Sequence, residues 1–462
     1  MDIPGYYYDD AKKKYFKIQA NHVAVSGAEY STEAVKRKRT EQASDLESRK
    51  MLERMSKERV TKSPLLLRPI LRLGREVASS ILTTAATKEH QASLYASQLK
   101  QKQLFRFSKI SRGGNITDVI RIPGSGDLLA SANVGTSSVL AICFSRPMDI
   151  EDSAEKCFQK WSYRPEREHL IFADDVRISS IAYSPAGCLL KTTDGELGSQ
   201  LRIRHIIPDR GPNHTLDSWQ PHSPIRLDNE IIWCSSACPS SDKAIFACGA
   251  QSSIFTLECG MSMSLSRPRD NYPKDIMALE WLSTSVIAGG SRDSSIFLHD
   301  YRSGGYASRL QHPSSVVKIR KVDDYRLLVS GRGMLNMYDL RFAKNGVQDN
   351  PLPLTKKHTS TRPYLEFPEY AKNSHDTNSF LLDFDVSPEL GLVASVGRGN
   401  APVLFSLQTA NAIPSPISQS TSYAGIDPTK VKFESFEEGD FNAPKTPTLL
   451  AWSKQVVDQW SW

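Results

Sequence analysis

The strongest constraint on the fold is a pair of consecutive units of one length, which lie between residues 275 and 341. Each unit has an alternating apolar segment, a turn, a run ending in small residues, a polar turn and a third apolar run. Arg302 and Arg341, which end the two units, are 39 residues apart. Short strands and polar turns at this spacing indicate one β-propeller blade following another. Because a lone blade leaves both sheet faces open, the rest of the chain must supply more blades.

The remaining chain repeats this plan. Apolar segments separated by turns occupy 116–144, 178–206, 231–257 and 380–407, and weaker strands occupy 432–462. A short strand at 104–108 would join these last strands and close the ring from both chain ends, which removes exposed sheet edges. The sequence therefore predicts an all-β protein with a β-propeller of seven blades over residues 104–462, and six or eight blades are alternatives. The polar, proline-rich intervals between blades are expected to be functional or disordered loops.

The first 27 residues predict a small aromatic hairpin. Two aromatic runs, Tyr6-Tyr7-Tyr8 and Tyr15-Phe16, flank a polar turn. A two-stranded hairpin is marginally stable alone, so these side chains are expected to pack on something else. Two interpretations stay open: the hairpin docks on the protein's own propeller, or it is a motif that binds a partner.

Residues 28–103 predict a charged linker followed by amphipathic helices. Within the linker, Lys36-Arg37-Lys38-Arg39 is either a nuclear-localisation signal or a solvated charge run. Four apolar residues follow helical spacing over 69–82, and a second helical stretch is predicted at 85–103. The first helix either packs on the side of the propeller or enters a groove on a partner. Its apolar residues are Ile70, Leu73, Val77 and Ile81.

Positive charge is concentrated before the predicted propeller. Residues 1–110 hold 22 Lys/Arg and 12 Asp/Glu, a net charge of +10, whereas residues 111–462 hold 36 and 39, a net charge of −3. This distribution argues against a propeller wrapped by nucleic acid, although the N-terminal extension alone remains able to contact phosphates.

Composition and motifs favour a scaffold or receptor over an enzyme. The seven cysteines form no Cys-x-x-Cys pair, so we expect reduced thiols in a cytosolic or nuclear protein and no metal site. No apolar run is long enough for a membrane helix, and no signal peptide opens the chain. Phosphate-binding, nucleophile and zinc-protease motifs are absent, so no catalytic residue and no cofactor are predicted. Asp383 and Asp385 share one side of a strand and are expected to be ordinary outward-facing residues.

The two Asp-x-Arg closings are the most informative polar residues. Asp300 and Asp339 are predicted to stabilise the turns after the third strands of their blades. The arginines two residues later, Arg302 and Arg341, are predicted to project from those turns. Each would keep a planar guanidinium free for a carboxylate or carbonyl of another protein, and the pair would be neighbours on one face.

On these residues the sequence resembles the WD-repeat substrate receptors of cullin-4 RING ubiquitin ligases. The closings HDYR and YDLR resemble the family's WD-x-Arg boxes, and the helix over 69–82 lies where the family places its adaptor-binding segment. The opening PGYYYDDAKKKYFKI is similar to the N-terminus of the cullin-4-associated factor four subfamily (the WD-repeat protein twenty-one group). The sequence departs from the box at His299 and Tyr338, where tryptophan is usual.

The resemblance implies a WD-repeat β-propeller that recruits a substrate protein to the ligase. Arg302 and Arg341 would contact the adaptor, damage-specific DNA-binding protein one, and the helix with Ile70, Leu73 and Val77 would enter its groove. The second hypothesis is a nuclear WD-repeat scaffold that binds RNA, chromatin or peptides. The implied localisation is nuclear, cytoplasmic or both, without membrane attachment. The substrate and its pocket are not identifiable from the sequence.

Overall fold

A computed structural model of the protein describes residues 6–9, 12–20, 29–61, 81–110, 114–123, 125–147, 161–195, 198–206, 219–221, 223–240, 242–260, 263–266, 272–302, 305–341, 361–373, 383–396, 401–420, 430–434 and 447–461. The chain divides into two compact units, residues 1–77 and residues 78–462.

The N-terminal unit contains the predicted hairpin. Strands β1 (Tyr6–Asp9) and β2 (Lys14–Lys17) pair antiparallel, and helix α1 (Thr32–Thr61) follows where a weak helix or linker was expected. Phe16 stacks on Tyr30, with ring centroids 4.2 Å apart, and the buried Tyr7 hydroxyl accepts a 3.3 Å hydrogen bond from Gln42 Nε2 on α1. One face of the hairpin therefore packs within its own unit, next to the start of the helix.

The second unit begins with helix α2 (Ile81–Ser97) and strand β3 (Lys100–Arg106). The predicted second helix was too long, because residues 100–103 pair with the last strand of the chain instead of extending the helix. Tertiary strand pairing here overrides local helix propensity. The buried face of α2 is small or apolar, and Glu89 accepts hydrogen bonds from Ser406 and Thr409. The buried residues of α2 are Ala92, Tyr95 and Ala96, and Leu99 just after the helix is buried as well.

Seven antiparallel sheets follow, and these are the blades of the propeller. Blade 1 comprises β4 (Asn115–Arg121), β5 (Leu128–Val134), β6 (Ser137–Pro147) and β7 (Trp161–Asp174). Blade 2 comprises β8 (Arg177–Ser184), β9 (Cys188–Asp194) and β10 (Gly198–Ile206), with β11 (Trp219–Pro221) and β12 (Ile225–Asp228) both paired to β10. Blade 3 comprises β13 (Ile232–Ala237), β14 (Ala244–Ala250), β15 (Ile254–Cys259) and β16 (Met263–Ser266).

The two units that were recognised first in the sequence are blades 4 and 5. Blade 4 comprises β17 (Ile276–Trp281), β18 (Val286–Ser291), β19 (Ser295–Asp300) and β20 (Gly305–Gln311). Blade 5 comprises β21 (Val316–Lys321), β22 (Arg326–Gly331), β23 (Met334–Asp339) and β24 (Leu365–Glu366), and helix α3 (Pro368–Asn373) follows it. Blade 6 comprises β25 (Phe384–Ser387), β26 (Leu392–Val396), β27 (Pro402–Ser406) and β28 (Ala412–Ile413), and a 3₁₀ turn (Pro416–Gln419) follows.

The seventh blade closes the ring. Strands β29 (Lys430–Glu434), β30 (Thr448–Ser453) and β31 (Val456–Ser461) take β3 from the beginning of the unit as their fourth strand. The seven-bladed count and the closure by mixing the two chain ends are therefore confirmed.

Close contact between neighbouring blades explains the small residues that mark the second strands. A Cβ atom built on Gly290 of β18 would lie 2.2 Å from Val316 Cγ1 of blade 5. One built on Gly249 of β14 would lie 2.9 Å from Ile276 Cγ2 of blade 4. The first strands of blades 1 to 5 also carry a bulge near their start, after the second paired residue in blades 1 and 2 and after the first in blades 3 to 5. A bulge increases the local twist of a strand.

The intervals predicted as loops contain the outer strands of blades 1, 2, 5 and 6. The 14-residue β7 lies in the interval before blade 2, and β24 lies in the interval between blades 5 and 6. In that second interval Phe367 and Tyr370 are buried in the core shared by blades 5 and 6, whereas Tyr364 is exposed. Outer strands have one neighbour and a solvated face, so their apolar pattern is too weak to read from sequence.

Candidate interaction sites

The first Asp-x-Arg closing forms a turn that Asp300 holds in place. Asp300 Oδ1 accepts a 3.0 Å hydrogen bond from the backbone N–H of Arg302, which is the interaction predicted for the aspartate. The guanidinium of Arg302 folds back on the same carboxylate, with Nε 3.3 Å from Oδ1 and Nη2 3.4 Å from Oδ2. The Arg302 side chain nevertheless remains 69% exposed.

The second closing repeats this geometry with shorter contacts. Asp339 accepts from the backbone N–H of Arg341 at 3.0 Å, from its Nε at 3.0 Å and from its Nη2 at 2.7 Å. Hydrogen bonding by Arg341 lowers the pKa of Asp339 and raises that of the arginine. Arg341 also lies over the ring of Tyr325, 4.8 Å from its centroid, and both side chains are 52% exposed.

The prediction that each guanidinium keeps its fork free is therefore wrong. Each arginine contacts its own aspartate, because a side chain two residues past the acid reaches back to it across the turn. Arg302 and Arg341 do occupy equivalent positions, at the ends of the third strands of adjacent blades. A guanidinium carries five N–H groups, and the contacts of each arginine with its own aspartate involve two of its three side-chain nitrogen atoms.

His299 and Tyr338 each belong to a separate buried tyrosine–histidine pair that the sequence did not reveal. The hydroxyl of Tyr272 lies 2.8 Å from His299 Nδ1, and in the next blade the hydroxyl of Tyr338 lies 2.8 Å from His312 Nδ1. In each blade one member of the pair precedes the first strand and the other lies on the third strand. The tyrosine comes first in blade 4, and the histidine comes first in blade 5. Burial lowers the pKa of His312 to about 4 and raises that of Tyr338 to about 12. His299 therefore makes the same tyrosine–histidine contact as Tyr338 does in the next blade. The sequence signal that could have revealed both pairs is the near-equal separation of their members, 27 and 26 residues.

The other predicted site residues are only partly described. Ile70, Leu73 and Val77 lie outside the described residues, and Ile81 is the first residue of α2. Tyr6, Tyr8 and Tyr15 are exposed on the face of the hairpin opposite Tyr7 and Phe16.

The basic cluster lies in the first half of helix α1. Lys36, Arg37 and Arg39 are exposed there, and the Lys38 ammonium lies 5.3 Å from the centroid of the Tyr30 ring. The cluster is therefore accessible on three of its four side chains, and its use as a localisation signal stays a prediction.

A cavity of about 1130 Å³ is lined by the first strands of the blades. Blades 2 to 4 contribute mainly neutral side chains to its wall, including Ser179, Ser235 and Met277. Blades 5 to 7 and blade 1 contribute charged ones, including Lys318, Arg320, Asp383, Lys430 and Lys432. The wall of the cavity is therefore chemically asymmetric.

Asp383 and Asp385 were expected to face outward to solvent, and this expectation was wrong. Both carboxylates instead connect blade 6 to its two neighbouring blades. Asp383 pairs with Lys318 Nζ of blade 5 at 2.5 Å and accepts from the Val431 N–H of blade 7 at 3.2 Å. Burial opposes ionisation of Asp383, but the nearby lysines outweigh it and lower its pKa.

Two residues further along the chain in each blade, Arg320 and Asp385 repeat the arrangement of Lys318 and Asp383. Arg320 Nε lies 2.8 Å from Asp385 Oδ1, and Asp385 Oδ2 accepts from the Phe433 N–H of blade 7 at 2.8 Å. Arg320 Nη1 also pairs with Glu280 of blade 4 at 3.1 Å. These two sets of contacts join the inner strands of blades 4 to 7. The carboxylates of Asp383 and Asp385 are both engaged in contacts between blades.

Lysines complete the connection to blade 1. Lys430 Nζ donates to the Thr117 carbonyl at 2.7 Å, and Lys432 Nζ donates to the Val119 carbonyl at 3.2 Å. We call the contacts of Glu280, Lys318, Arg320, Asp383, Asp385, Lys430 and Lys432 the inner network.

Neither thiols nor helices provide a further site. Six cysteines in the described part of the chain are free thiols, Cys157 lies outside it, and burial raises the pKa of Cys143 and Cys248 to about 12. Within the same residues, no cluster of three or more His, Cys, Asp or Glu side chains is placed to hold a metal ion. None of the described helices is long and apolar enough to cross a membrane.

Neither a protein-family model nor a curated protein matches the sequence. Among solved structures, the chain is similar to the WD40 β-propeller domain of Doa1, with 10% identity, a TM-score of 0.51 and coverage of 79% of this chain and 97% of that one. The β-propeller domain of Cps50 (Swd1) from Myceliophteria thermophila aligns at 11% identity with a TM-score of 0.49, over 79% of this chain and 100% of that one. Such identities concern the fold alone, and the fold is a seven-bladed propeller of the WD40 type.

Proposed function

We propose that this WD40-type propeller is a non-catalytic substrate receptor, which binds the adaptor of a cullin-4 RING ubiquitin ligase, damage-specific DNA-binding protein one. The observation that carries the proposal is the pair of exposed arginines at equivalent turns of blades 4 and 5, each oriented by an aspartate two residues earlier. The target protein would bind elsewhere on the propeller, and the chain would supply no catalytic group.

Preorganisation is the physical reason that these turns suit an interface. Ordering a long side chain on binding costs free energy, and an arginine already held by its own carboxylate avoids part of that cost. Arginine and tyrosine are also enriched among the residues that dominate binding energy. Tyr325, stacked beside Arg341, adds an exposed aromatic surface to the second turn.

The helix predicted over 69–82 would be the second adaptor contact in this proposal. An amphipathic helix that lays its apolar residues into a groove on the partner is a common recognition mode. Ile70, Leu73, Val77 and Ile81 would then face the adaptor, and the exposed Tyr6, Tyr8 and Tyr15 of the hairpin would be available to a further partner.

We predict that the variant with both Arg302→Ala and Arg341→Ala loses co-purification with the adaptor. Removing two interface arginines costs a large part of the binding free energy, so recovery should fall about tenfold or more. The measurement is affinity purification of the full-length chain with the adaptor, quantified against input.

The matched control is Arg292→Ala. Arg292 is 53% exposed and pairs with Asp275 at 3.1 Å, but it follows the second strand of blade 4 instead of the third. Undiminished recovery with the double variant, or equal loss with Arg292→Ala, contradicts the proposed function. Unchanged melting temperatures for all variants exclude misfolding.

A second candidate function rests on the basic N-terminal extension and is a scaffold for RNA or chromatin. Exposed basic residues are grouped near the start of helix α1, where Lys36, Arg37 and Arg39 lie. If they bind phosphates, affinity for single-stranded RNA should fall steeply with salt and should disappear on deletion of residues 1–62. RNA binding that survives this deletion contradicts the second candidate.

A further inference from the structure

A group of basic side chains lies where the outer strand of blade 1 meets blade 2. Lys191 on β9 and Arg202 on β10 are directly opposite each other in the strand register, and Arg204 is two residues beyond Arg202. All three surround Phe172 on β7: their charged groups lie 4.6, 5.7 and 4.3 Å from its ring centroid. This group, Lys191, Arg202 and Arg204, is called the blade 2 cluster below.

A single carboxylate pairs with the cluster among the residues that the structure describes. Asp174 Oδ2 pairs with Lys191 Nζ, and Asp174 Oδ1 lies 3.2 Å from Arg202 Nη1. Arg202 Nη2 donates to Gln200 Oε1 at 3.2 Å. Arg204 lies over the ring of Phe172, and no carboxylate of the described residues pairs with it. Within the described part of the chain, three positive charges therefore meet one negative charge, an excess of two.

The cluster is partly removed from water. The Lys191 side chain is 1% exposed, and the buried Nε atoms of Arg202 and Arg204 have no hydrogen-bond partner. Burial, together with the neighbouring positive charges, lowers the pKa of Lys191 and of Arg204. Buried donors without acceptors are rare in folded proteins, and each one calls for an explanation. An anion supplied by another molecule would accept hydrogen bonds from the exposed part of the guanidinium groups and would balance the charge.

We propose that the blade 2 cluster binds a phosphorylated side chain of a partner protein. A phosphoserine or phosphothreonine carries close to two negative charges at neutral pH and three strong acceptor oxygens. That charge matches the local excess, and planar guanidinium groups suit phosphate oxygens. Arg202 and Arg204 are partly exposed and would make the contacts, whereas Asp174, which also pairs with the buried Lys191, holds Arg202 in place.

The same observations favour a single phosphate group over a nucleic acid. Binding of a polyanion requires an extended series of basic residues. Residues 111–462 carry a net charge of −3, so the propeller as a whole attracts a long polyanion less than it attracts one phosphate group held at the cluster. This proposal does not depend on adaptor binding, which involves blades 4 and 5.

The test uses the purified full-length chain on three degenerate peptide libraries that differ only at a central residue: phosphoserine, serine or glutamate. We expect the wild-type chain to be retained about tenfold more by the phosphoserine library than by either other library. Arg204→Ala should remove most of this difference, and so should Arg204→Gln, which retains a long side chain over Phe172.

The matched control is Arg226→Ala, since Arg226 is an exposed arginine on β12 of the same blade. It should retain the preference for phosphoserine, and so should the variant with Arg302→Ala and Arg341→Ala. Equal retention by the phosphoserine and serine libraries, equal retention by the glutamate library, or full retention with both Arg204 variants overturns the proposal. Binding of an oligouridine RNA that depends on Arg204, without a phosphoserine preference, overturns it as well.

Discussion

Replacing Arg320 by alanine is expected to lower the free energy of unfolding of the propeller by about 3–5 kcal/mol. Arg320 lies between Glu280 of blade 4 and Asp385 of blade 6, and it pairs with both. Its removal leaves two partly buried carboxylates without their shared cation, and an uncompensated buried charge costs more than the pair itself contributes. Chemical denaturation of the full-length chain measures the effect.

The pH dependence of this loss has a defined sign. Burial already raises the pKa of Glu280, although Arg320 opposes the shift. When folding raises the pKa of a carboxyl group, the native state holds the proton more tightly than the unfolded state does. The free energy of unfolding therefore falls as pH rises through the unfolded-state pKa of that group. Without Arg320 this penalty grows, so the difference between the variant and the wild type should be larger at pH 7.5 than at pH 4.5.

Two comparisons separate charge from packing. Arg292→Ala removes an exposed arginine from a pair with Asp275 and should have little effect on stability. Combining Arg320→Ala with Glu280→Gln and Asp385→Asn removes the unpaired charges and should recover part of the loss. If this triple variant is no more stable than Arg320→Ala, the loss comes from packing and the proposed role of the inner network is wrong.

Deleting residues 455–462 is expected to prevent the chain from forming a soluble, monomeric propeller. The deletion removes β31, which pairs with β30 on one side and with β3 on the other. The ring then opens between the two chain ends, and the unpaired edges of β30 and β3 are exposed to aggregation. Buried side chains at Val457 and Trp460 are lost as well. Soluble yield, size-exclusion chromatography and thermal melting measure the outcome.

The control is a far larger deletion at the other end. Residues 1–77 form a compact unit of their own, so a chain that starts at Ala78 should remain soluble and monomeric, with the melting transition of the propeller retained. A monomeric chain without residues 455–462 that melts at the wild-type temperature contradicts closure of the ring by β31 and β3.

The repeating part of the propeller was predictable because its signals are local. The alternating apolar segments, small residues and turns of blades 4 and 5 fix strands of a given length, and the spacing between Arg302 and Arg341 fixes the size of the repeat. The short strand before blade 1 predicted the closure because a ring without edges needs a partner for the C-terminal strands. The outer strands, such as β7 and β24, escaped prediction because their apolar pattern is weak.

The candidate sites depended on contacts that the sequence does not reveal. The turns at Asp300 and Asp339 follow from residues two positions apart, but the return of each arginine to its own acid is a matter of side-chain geometry. In the inner network, Arg320 and Asp385 are 65 residues apart, as are Lys318 and Asp383. The blade 2 cluster likewise joins Phe172 and Asp174 to strands of the following blade.

The sequence by itself determined that this protein forms a ring of small antiparallel sheets with a basic N-terminal extension, because strand, turn and repeat signals act over short distances along the chain. Only the tertiary structure decided which charges meet. Closing the ring brings strands of different blades side by side, and the resulting burial and pairing set whether a charged residue connects blades, orients an exposed arginine or is left without a partner.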